Sequence, residues 1–395
     1  MIELKTDEFN IVLPHLSNLL KYNYILHSVI GGSVPGRIFV NDKENVETVL
    51  LWDKTNCAGI YIEGKYTPEI AKSMNKIIIN LIIPEGKSIE DTKDITSCYA
   101  PIEVWEDKLI TEVFKEVHIR KYHRRFFTFD KGVNQILQWR QHIPKEFRMI
   151  RFDENSPLLK DKDFKNLDSV IDMLKYSGDK IGCCIVDENE KIIVSWCTSD
   201  WRSGKFIEFG VETDEDYRQR GFGSACAAAA VEFALERGYE HIGWHCWDDN
   251  TASAKTALKA GYLEERSHPV MHFWYNNYDN MLLCVNYYYQ KQDYQQAITY
   301  FENTEEMRNK DTEEYHTADL KIDYYHWILL RAIACYSKLN RIEKAYLTLK
   351  TLLNSKIDDP EDLLSQLQDD EDFSALKKSP KYQEIIDQIK NQIQN

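Results

Sequence analysis

Residues 211–238 read VETDEDYRQRGFGSACAAAAVEFALERG, and this stretch decides the fold. A polar segment enters the turn Gly221-Phe222-Gly223, and six small residues follow from Ser224 to Ala229. A helix that begins at such a turn leaves its first backbone N–H groups without partners, and these donors favour a phosphate group. The stretch therefore predicts either an anion site at a helix start or a helix packed tightly on a sheet without any ligand.

The residues around this stretch alternate between strand and helix patterns. The turn-rich segment Asp187–Lys191 separates two apolar runs and predicts a hairpin. Strands are predicted at 148–152, 181–186, 192–196, 205–212, 241–247 and 270–275, and helices at 167–174, 223–236 and 252–259. Strands and helices that alternate around a hairpin favour an α/β domain with one mixed sheet.

Two motifs in this region resemble those of a known family. Arg218-Gln-Arg-Gly-Phe-Gly223 fits the pattern Arg/Gln-x-x-Gly-x-Gly/Ala, and the segment from Asn250 to Tyr262 begins with Asn and closes on Gly-Tyr. In this order, with a predicted strand between them, the motifs resemble those of the GNAT acyltransferases over residues 140–275. The resemblance implies the GNAT mixed β-sheet with flanking helices.

A narrower resemblance divides the chain into three parts. Glu208-Phe-Gly-Val-Glu-Thr213 and Trp247-Asp-Asp-Asn-x-x-Ser253 are similar to the acetyltransferase family that includes the zwittermicin A resistance enzyme. This resemblance implies a degenerate GNAT-like domain at residues 1–135 and a catalytic GNAT domain at residues 136–278. Residues 279–395 lie outside it.

The N-terminal part has a strand pattern at 59–63 that runs into a helix at 67–76 without a Gly-x-Gly turn. We therefore expect this half not to bind CoA. The apolar run 77–83 reads as a buried strand. The basic segment 120–125 is interpreted as a solvated helix end, with an anion or nucleic-acid contact as the alternative.

The residues beyond 279 show helical patterns only. The segments 293–301 and 342–350 share a spacing of small and apolar residues, and each follows an aromatic-rich helix. This arrangement resembles helix-turn-helix repeats of the tetratricopeptide kind, which bind protein partners. A TPR-like tail with a protein partner is therefore predicted.

The GNAT resemblance implies acetyl-CoA as the donor and direct transfer to an amine within a ternary complex. Backbone groups near Val211 and Thr213 would pair with the pantetheine arm, and the amides from Gln219 to Ser224 would hold the pyrophosphate. The cofactor-binding residues implied are Val211, Thr213, Arg218, Gln219, Arg220, Gly221, Phe222, Gly223, Ser224, Asn250 and Ser253. Asn250 and Ser253 are equally well explained as helix caps.

The chemistry needs a base that takes a proton from the amine. Glu208 is the first candidate, because it lies just before the cofactor-pairing residues of its predicted strand, and Glu212 is the second. For each, a carboxylate that faces solvent or binds a cationic substrate is an equal alternative. Related enzymes often carry a Tyr that protonates the leaving thiolate, and that position is Ala257 here. Either Tyr262, Cys246 or Tyr217 would protonate the thiolate instead, or the thiolate would leave without protonation.

Composition excludes several classes of function. The formal net charge of −15 disfavours nucleic-acid binding. The nine cysteines include no CxxC pair, which favours reduced thiols in a cytoplasmic protein over disulfides or a metal site. Neither a signal peptide nor an apolar run of membrane-spanning length is found.

Three functions remain in view. The first is an N-acetyltransferase acting on a small-molecule amine, including an antibiotic. The second is a protein N-acetyltransferase that docks its substrate on the helical tail. The third is a non-catalytic CoA-binding or scaffold protein.

Overall fold

The chain alternates strands and helices up to residue 274, and its described part is free of strands beyond that point. The computed structural model describes residues 1–55, 58–89, 93–174, 180–320, 324–354 and 359–394. One unit comprises Met1–Lys115 and Lys121–His272, and a second comprises Glu116–Arg120 and Phe273–Asn395. Apart from residues 116–120 and 273–278, both predicted GNAT-like regions therefore lie in the first unit, and their division at residue 135 stays a prediction.

The N-terminal region of the first unit holds six strands. They are β1 (Ile2–Glu3), β2 (Gly36–Val40), β3 (Thr48–Asp53), β4 (Gly59–Gly64), β5 (Asp94–Tyr99) and β6 (Arg120–Phe129). The α-helices are α1 (Ser17–Leu20), α2 (Ile25–Ile30), α3 (Pro68–Ile77), α4 (Ile83–Lys87) and α5 (Ile102–Lys108). A 3₁₀ helix covers Thr6–His15, and π-helical turns cover Ile78–Ile82 and Leu109–Val113.

Two predictions for this region were wrong. Residues 77–83 are helical, because Met74, Ile78 and Ile82 recur at four-residue spacing and are all fully buried on one face. Residues 120–125 form part of strand β6 and not a helix end. Arg124 and Arg125 pair there with Trp247 and Cys246 of the neighbouring strand.

The next region supplies the other six strands. They are β7 (Phe147–Asp153), β8 (Ile181–Asp187), β9 (Ile192–Ser203), β10 (Phe206–Thr213), β11 (His241–Trp247) and β12 (Leu263–Trp274). The α-helices are α6 (Leu167–Met173), α7 (Phe222–Glu236) and α8 (Thr251–Ala260), and 3₁₀ turns cover Trp139–His142, Pro157–Lys160 and Glu215–Tyr217. The predicted strands and helices of this region are confirmed to within a few residues, except that β9 continues to Ser203 and β12 begins already at Leu263.

All twelve strands join one sheet, in the order β1-β2-β3-β4-β5-β12-β6-β11-β10-β9-β8-β7. Strands β10 and β11 run parallel, whereas β7, β8, β9 and β10 are mutually antiparallel neighbours. The mixed α/β sheet is thus confirmed. Strand β6 lies between β11 and β12, so the two halves of this unit share an uninterrupted ladder.

Helix α7 explains the run of small residues that opens the sequence. It packs across β8, β9 and β10, and the side chains of Ala225 to Ala230 are fully buried. Side chains of this size let the helix axis approach the sheet closely, as close packing in protein interiors requires.

We expect Ala228→Leu to destabilise the fold by about 1–3 kcal/mol, because extra methylene groups have no space beneath α7. Urea unfolding measures this change. As a control, Ala252→Leu places the same side chain on the exposed face of α8, where surface substitutions change stability by about 0.5 kcal/mol or less. Equal midpoints for the two variants would contradict tight packing at Ala228.

The second unit is helical in its described part. Its helices are α9 (Asn277–Gln290), α10 (Tyr294–Asn309), α11 (Glu313–His316), α12 (Tyr325–Lys338), α13 (Ile342–Leu353), α14 (Pro360–Asp369), α15 (Ser374–Lys377) and α16 (Pro380–Gln394), with a 3₁₀ turn at Glu371–Phe373. The pairs α9–α10 and α12–α13 are packed neighbours. A helical C-terminal region is therefore confirmed. In the described part of the chain no helix has the length and apolarity of a membrane span.

Candidate active site

The sheet opens between β10 and β11. These parallel strands pair from Phe206–His241 to Glu208–Gly243, where their register ends. Beyond that point β10 continues along β9 to Thr213, and β11 continues along β6 to Trp247. A wedge-shaped opening, here called the splay, therefore begins at Glu208.

The turn before α7 presents unpaired backbone donors. Gln219 and Gly221 have positive φ values of 63° and 84°, a conformation that suits glycine. Gly221 is the N-cap of α7, and no side chain caps this helix start. The N–H groups of its first turn are thus available to an anion, and the helix dipole favours one there.

A groove of about 540 Å³ lies over this turn and the start of α8. Of the predicted cofactor-binding residues, it is lined by Val211, Thr213, Arg218, Gln219, Gly221, Phe222, Gly223, Ser224, Asn250 and Ser253. Four further residues that were not predicted as site residues, Ala252, Lys255, Thr256 and Lys259, also line it. Two lysines near a helix N-terminus add positive charge, so the groove suits an anionic ligand.

The two arginines of the turn lie differently. Arg218 lines the groove and donates from Nε to the Thr213 carbonyl at 3.2 Å. Arg220 donates to the Asp216 carbonyl at 3.1 Å, lies over the Tyr217 ring, and is absent from the described groove lining. The structure therefore brings ten of the eleven predicted residues together and leaves Arg220 on the rim.

Asn250 has the role of a helix cap, one of the two alternatives left by the sequence. Its side-chain oxygen accepts from the Ser253 N–H at 3.0 Å at the start of α8. The Ser253 hydroxyl accepts in turn from Trp244 Nε1 at 3.0 Å. The cap fixes both residues at the groove wall, and it uses the side-chain oxygen of Asn250.

Glu208 is buried at the mouth of the splay, with 5% of its surface exposed. Burial, and next the nearby Asp200 carboxylate, raise the pKa of Glu208 to about 8, while Arg124 opposes the shift. One oxygen lies 3.3 Å from His245 Nδ1. The other, Oε2, is buried and makes no hydrogen bond within the described part of the chain.

The ring of His245 has a defined tautomer. Its Nε2 lies 2.7 Å from the carbonyl oxygen of Tyr22, which can only accept, so Nε2 carries the hydrogen. Burial lowers the pKa of His245 to about 3, so the ring is neutral and Nδ1 is an acceptor. Protonated Glu208 can therefore donate to Nδ1, and a backbone carbonyl of the N-terminal region sets this geometry.

The other two predicted catalytic residues lie elsewhere. Glu212 is exposed and lines the groove, so it is separated from the buried mouth of the splay. Tyr262 is 1% exposed and packs against Trp244 and Phe129. Its buried hydroxyl makes no hydrogen bond among the described residues, and burial raises its pKa well above the ordinary value.

The role of Cys246 can be judged from its burial. The eight cysteines of the described chain are buried and free, and Cys246 is among them. Burial raises the pKa of Cys246 above its ordinary value, which disfavours a reactive thiolate. A buried structural thiol remains the interpretation for this residue.

His245 and Asp200 were missed as site residues by the sequence reasoning. Alternation along β11 gives one signal, because His245 follows Gly243 by two residues and so shares its face. Asp200 carries no readable signal, since its position depends on an irregularity in β9.

Comparisons with known proteins agree with this architecture. A family model described as GNAT acetyltransferase matches residues 15–271, which is more than half of the chain. We found no significant match among curated proteins.

Three solved structures are similar to the chain. They are a GCN5-related N-acetyltransferase-like protein from Streptococcus suis (21% identity, 68% of this chain and 98% of that chain, TM-score 0.46), a tandem GNAT protein from the clavulanic acid biosynthesis pathway (8%, 69% and 98%, 0.45), and a GCN5-related N-acetyltransferase from Sphaerobacter thermophilus (10%, 69% and 95%, 0.44).

Proposed function

Because the chain belongs to the GNAT acetyltransferase family, we propose that it transfers an acetyl group from acetyl-CoA to the amine of a small molecule. The observation that carries the proposal is the uncapped start of α7 beneath a groove whose wall includes Val211 and Thr213 of β10, the strand that also carries Glu208. This geometry combines free N–H donors for an anion at the start of α7 with a buried carboxyl group on strand β10. The narrower resemblance to the zwittermicin A resistance family supports an antibiotic as one acceptor.

The groove residues fit acetyl-CoA, which supplies the acetyl group when bound. The N–H groups at Phe222, Gly223 and Ser224 would hold its pyrophosphate, and Lys255 and Lys259 would add charge at the far wall. We propose a single cofactor site. In the N-terminal region the start of α3 is capped by Thr67, whose hydroxyl accepts from the Ile70 N–H at 3.2 Å, so those donors are occupied.

Glu208 would act as the base. In its ionised form it takes the proton from the amine as the nitrogen bonds to the acetyl carbon, directly within a ternary complex. Once it has taken the proton, the carboxyl group would donate to Nδ1 of His245 on the neighbouring strand. Tyr262 stays the proposed proton donor to the leaving thiolate, since burial keeps its hydroxyl protonated.

A second function, acetylation of a protein docked on the helical unit, is favoured by one feature. A groove of about 570 Å³ lies among α10, α12 and α13, and Leu347 on its wall is 60% exposed. A TPR-like role for these helices stays a proposal. If proteins dock there, Leu347→Glu would lower the rate of acetylation of protein substrates and leave the rate for small amines unchanged. A non-catalytic scaffold would acetylate neither kind of substrate.

Calorimetry with acetyl-CoA tests the proposed function first. We expect binding with a dissociation constant of about 1 µM–1 mM, the range of enzyme substrates in general. A panel of primary amines then tests turnover by CoA release. Lack of acetyl-CoA binding would contradict the proposal, and binding without turnover of any amine would favour the scaffold.

A further inference from the structure

Strand β9 carries one residue more than β10 at the splay. Trp201 pairs with Glu208 and Ser199 pairs with Phe209, so Asp200 between them has no opposite residue. Such a β-bulge re-aims the side chain of the extra residue. The bulge, and not the usual alternation of side chains along a strand, therefore sets the direction of the Asp200 side chain.

The Asp200 carboxylate lies directly against Gly210, two residues beyond Glu208. A Cβ atom added to Gly210 would lie 2.9 Å from both Asp200 oxygens. Glycine at this position thus leaves the space that the carboxylate fills. Asp200 and Glu208 consequently flank the start of the splay from neighbouring strands.

One carboxyl oxygen is left unsatisfied by the described part of the protein, because Glu208 Oε2 is buried without a hydrogen bond. Polar groups removed from water are normally hydrogen-bonded, and an unmet carboxylate is costly. Asp200, beside it, is half-buried, and Arg124 acts on its carboxyl group electrostatically. A buried unmet acceptor next to a second, half-exposed carboxyl group favours a ligand donor that is cationic.

The electrostatics agree with the geometry. Burial raises the pKa of Asp200 to about 7 and that of Glu208 to about 8, and the Asp200 charge adds to the second shift. Arg124, which lies over the Trp247 ring, lowers both pKa values, yet both stay raised. The pair therefore titrates as a coupled unit that holds a proton in the absence of a further cation.

The other ionisable groups that face Glu208 are neutral. His245 on β11 is an uncharged ring, as shown above. Tyr24, before α2, and Tyr262, after α8, have raised pKa values and keep their protons. These three groups therefore leave the negative charge of the two carboxyl groups uncancelled, and a cationic ligand could neutralise it.

We propose that Asp200 and Glu208 together bind the ammonium group of the acceptor, so that the enzyme captures its substrate as a primary alkylammonium cation. The proposal rests on the acetyltransferase function proposed above and defines its substrate class. Alkylamines are protonated at neutral pH by about 10³ to 1, judged from lysine, so the site receives the abundant form.

Capture of the cation also prepares the chemistry. The bound ammonium donates N–H groups to Asp200 and to Glu208 Oε2, and one proton then passes to Glu208. The neutral nitrogen would form the C–N bond with the acetyl carbon while the C–S bond breaks and the electron pair stays on sulfur. The nitrogen would then lose its second proton and the thiolate would take up one, which gives the amide and the free thiol, and Glu208 would release the first proton to solvent. Asp200 is thus a substrate-binding residue, whereas Glu208 takes the proton.

Asp200→Asn tests the site by titration of the CoA-loaded protein with benzylamine and spermidine. We expect both amines to bind the wild type and to bind the variant roughly 10–100-fold more weakly, because a hydrogen bond to a charged group is lost. Uncharged benzyl alcohol should not distinguish the two proteins. Equal amine affinities, or failure of both amines to bind the wild type, would overturn the proposal.

Steady-state kinetics gives a second test, because a purely structural role of Asp200 would leave the pH dependence of kcat/KM and the KM for the amine unchanged. Without the Asp200 charge the pKa of Glu208 falls, so the acid limb of kcat/KM shifts to lower pH while KM for the amine rises. Gly210→Ala pushes the Asp200 carboxylate aside without altering charge, and it should also raise KM. Exposed Glu146→Gln removes one negative charge elsewhere and should change neither quantity.

These outcomes separate the two proposals. A protein that acetylates amines with an unchanged KM and acid limb after Asp200→Asn keeps the proposed function and refutes this site. A protein that binds no acetyl-CoA refutes the proposed function, and amine titration of the protein without CoA still decides the ammonium site.

Discussion

We expect Gly221→Val to abolish measurable acetyl-CoA binding in calorimetry. The Gly221 backbone has a φ of 84°, and its Cβ position is open, so valine would project unhindered into the groove that Gly221 lines. The pyrophosphate would then lose backbone hydrogen bonds worth about 1.5–3 kcal/mol each. Gly223→Val acts on the same site, since its Cβ would lie 3.2 Å from Thr213 Oγ1.

The chain offers a matched control for backbone strain. Gly238 lies just beyond the other end of α7, with a φ of 87° and nothing within 4 Å of its Cβ position. Gly238→Val therefore imposes the same left-handed conformation on valine, far from the groove. If Gly238→Val lost acetyl-CoA to the same extent, strain and not the phosphate site would explain the first result.

We expect Glu208→Gln to lower kcat by roughly 10²–10⁴-fold, because a positioned base contributes that much, and to leave acetyl-CoA affinity unchanged, because backbone groups would hold the donor. Steady-state kinetics with saturating amine measures the change. Glu212→Gln removes the same charge from an exposed residue of the same strand and should retain kcat. A raised KM with an unchanged kcat would instead mean that Glu208 only attracts the amine.

The pH dependence of this effect follows from the raised pKa of Glu208. A base works only when ionised, and kcat/KM reports the free enzyme, so wild-type kcat/KM should rise with pH until about 8 and then level. Below that point, kcat/KM should fall about tenfold per pH unit. Glu208→Gln should lack this acid limb, and its deficit should shrink at high pH, where more of the amine is already neutral.

Local patterns made the cofactor groove predictable. The Gly-rich turn and the Asn250 helix start are set by neighbours in sequence, and α7 was predicted at 223–236 and begins at Phe222. The prediction of a strand at 77–83 was wrong because no local pattern settled its structure. A short apolar stretch is compatible with a strand or a buried helix, and burial of Ile78 and Ile82 on one face decides between them.

The surroundings of the base depended on contacts that no local pattern encodes. Glu208 itself was predicted from its place on the strand. His245 is fixed by the carbonyl of Tyr22, 223 residues earlier in the chain. Asp200 reaches the splay only because β9 has a bulge, and a one-residue irregularity leaves strand propensity and hydrophobic alternation almost unchanged.

The position of β12 beside β5 has a consequence for synthesis on the ribosome. Strand β5 ends at Tyr99, whereas its neighbour β12 ends at Trp274, about 175 residues later. At translation rates of about 5–20 residues per second, the edge of β5 waits roughly 10–35 s for its partner. The nascent chain therefore exposes an unpaired strand edge for that time, and we expect chaperones that shield such edges to raise the yield of folded protein.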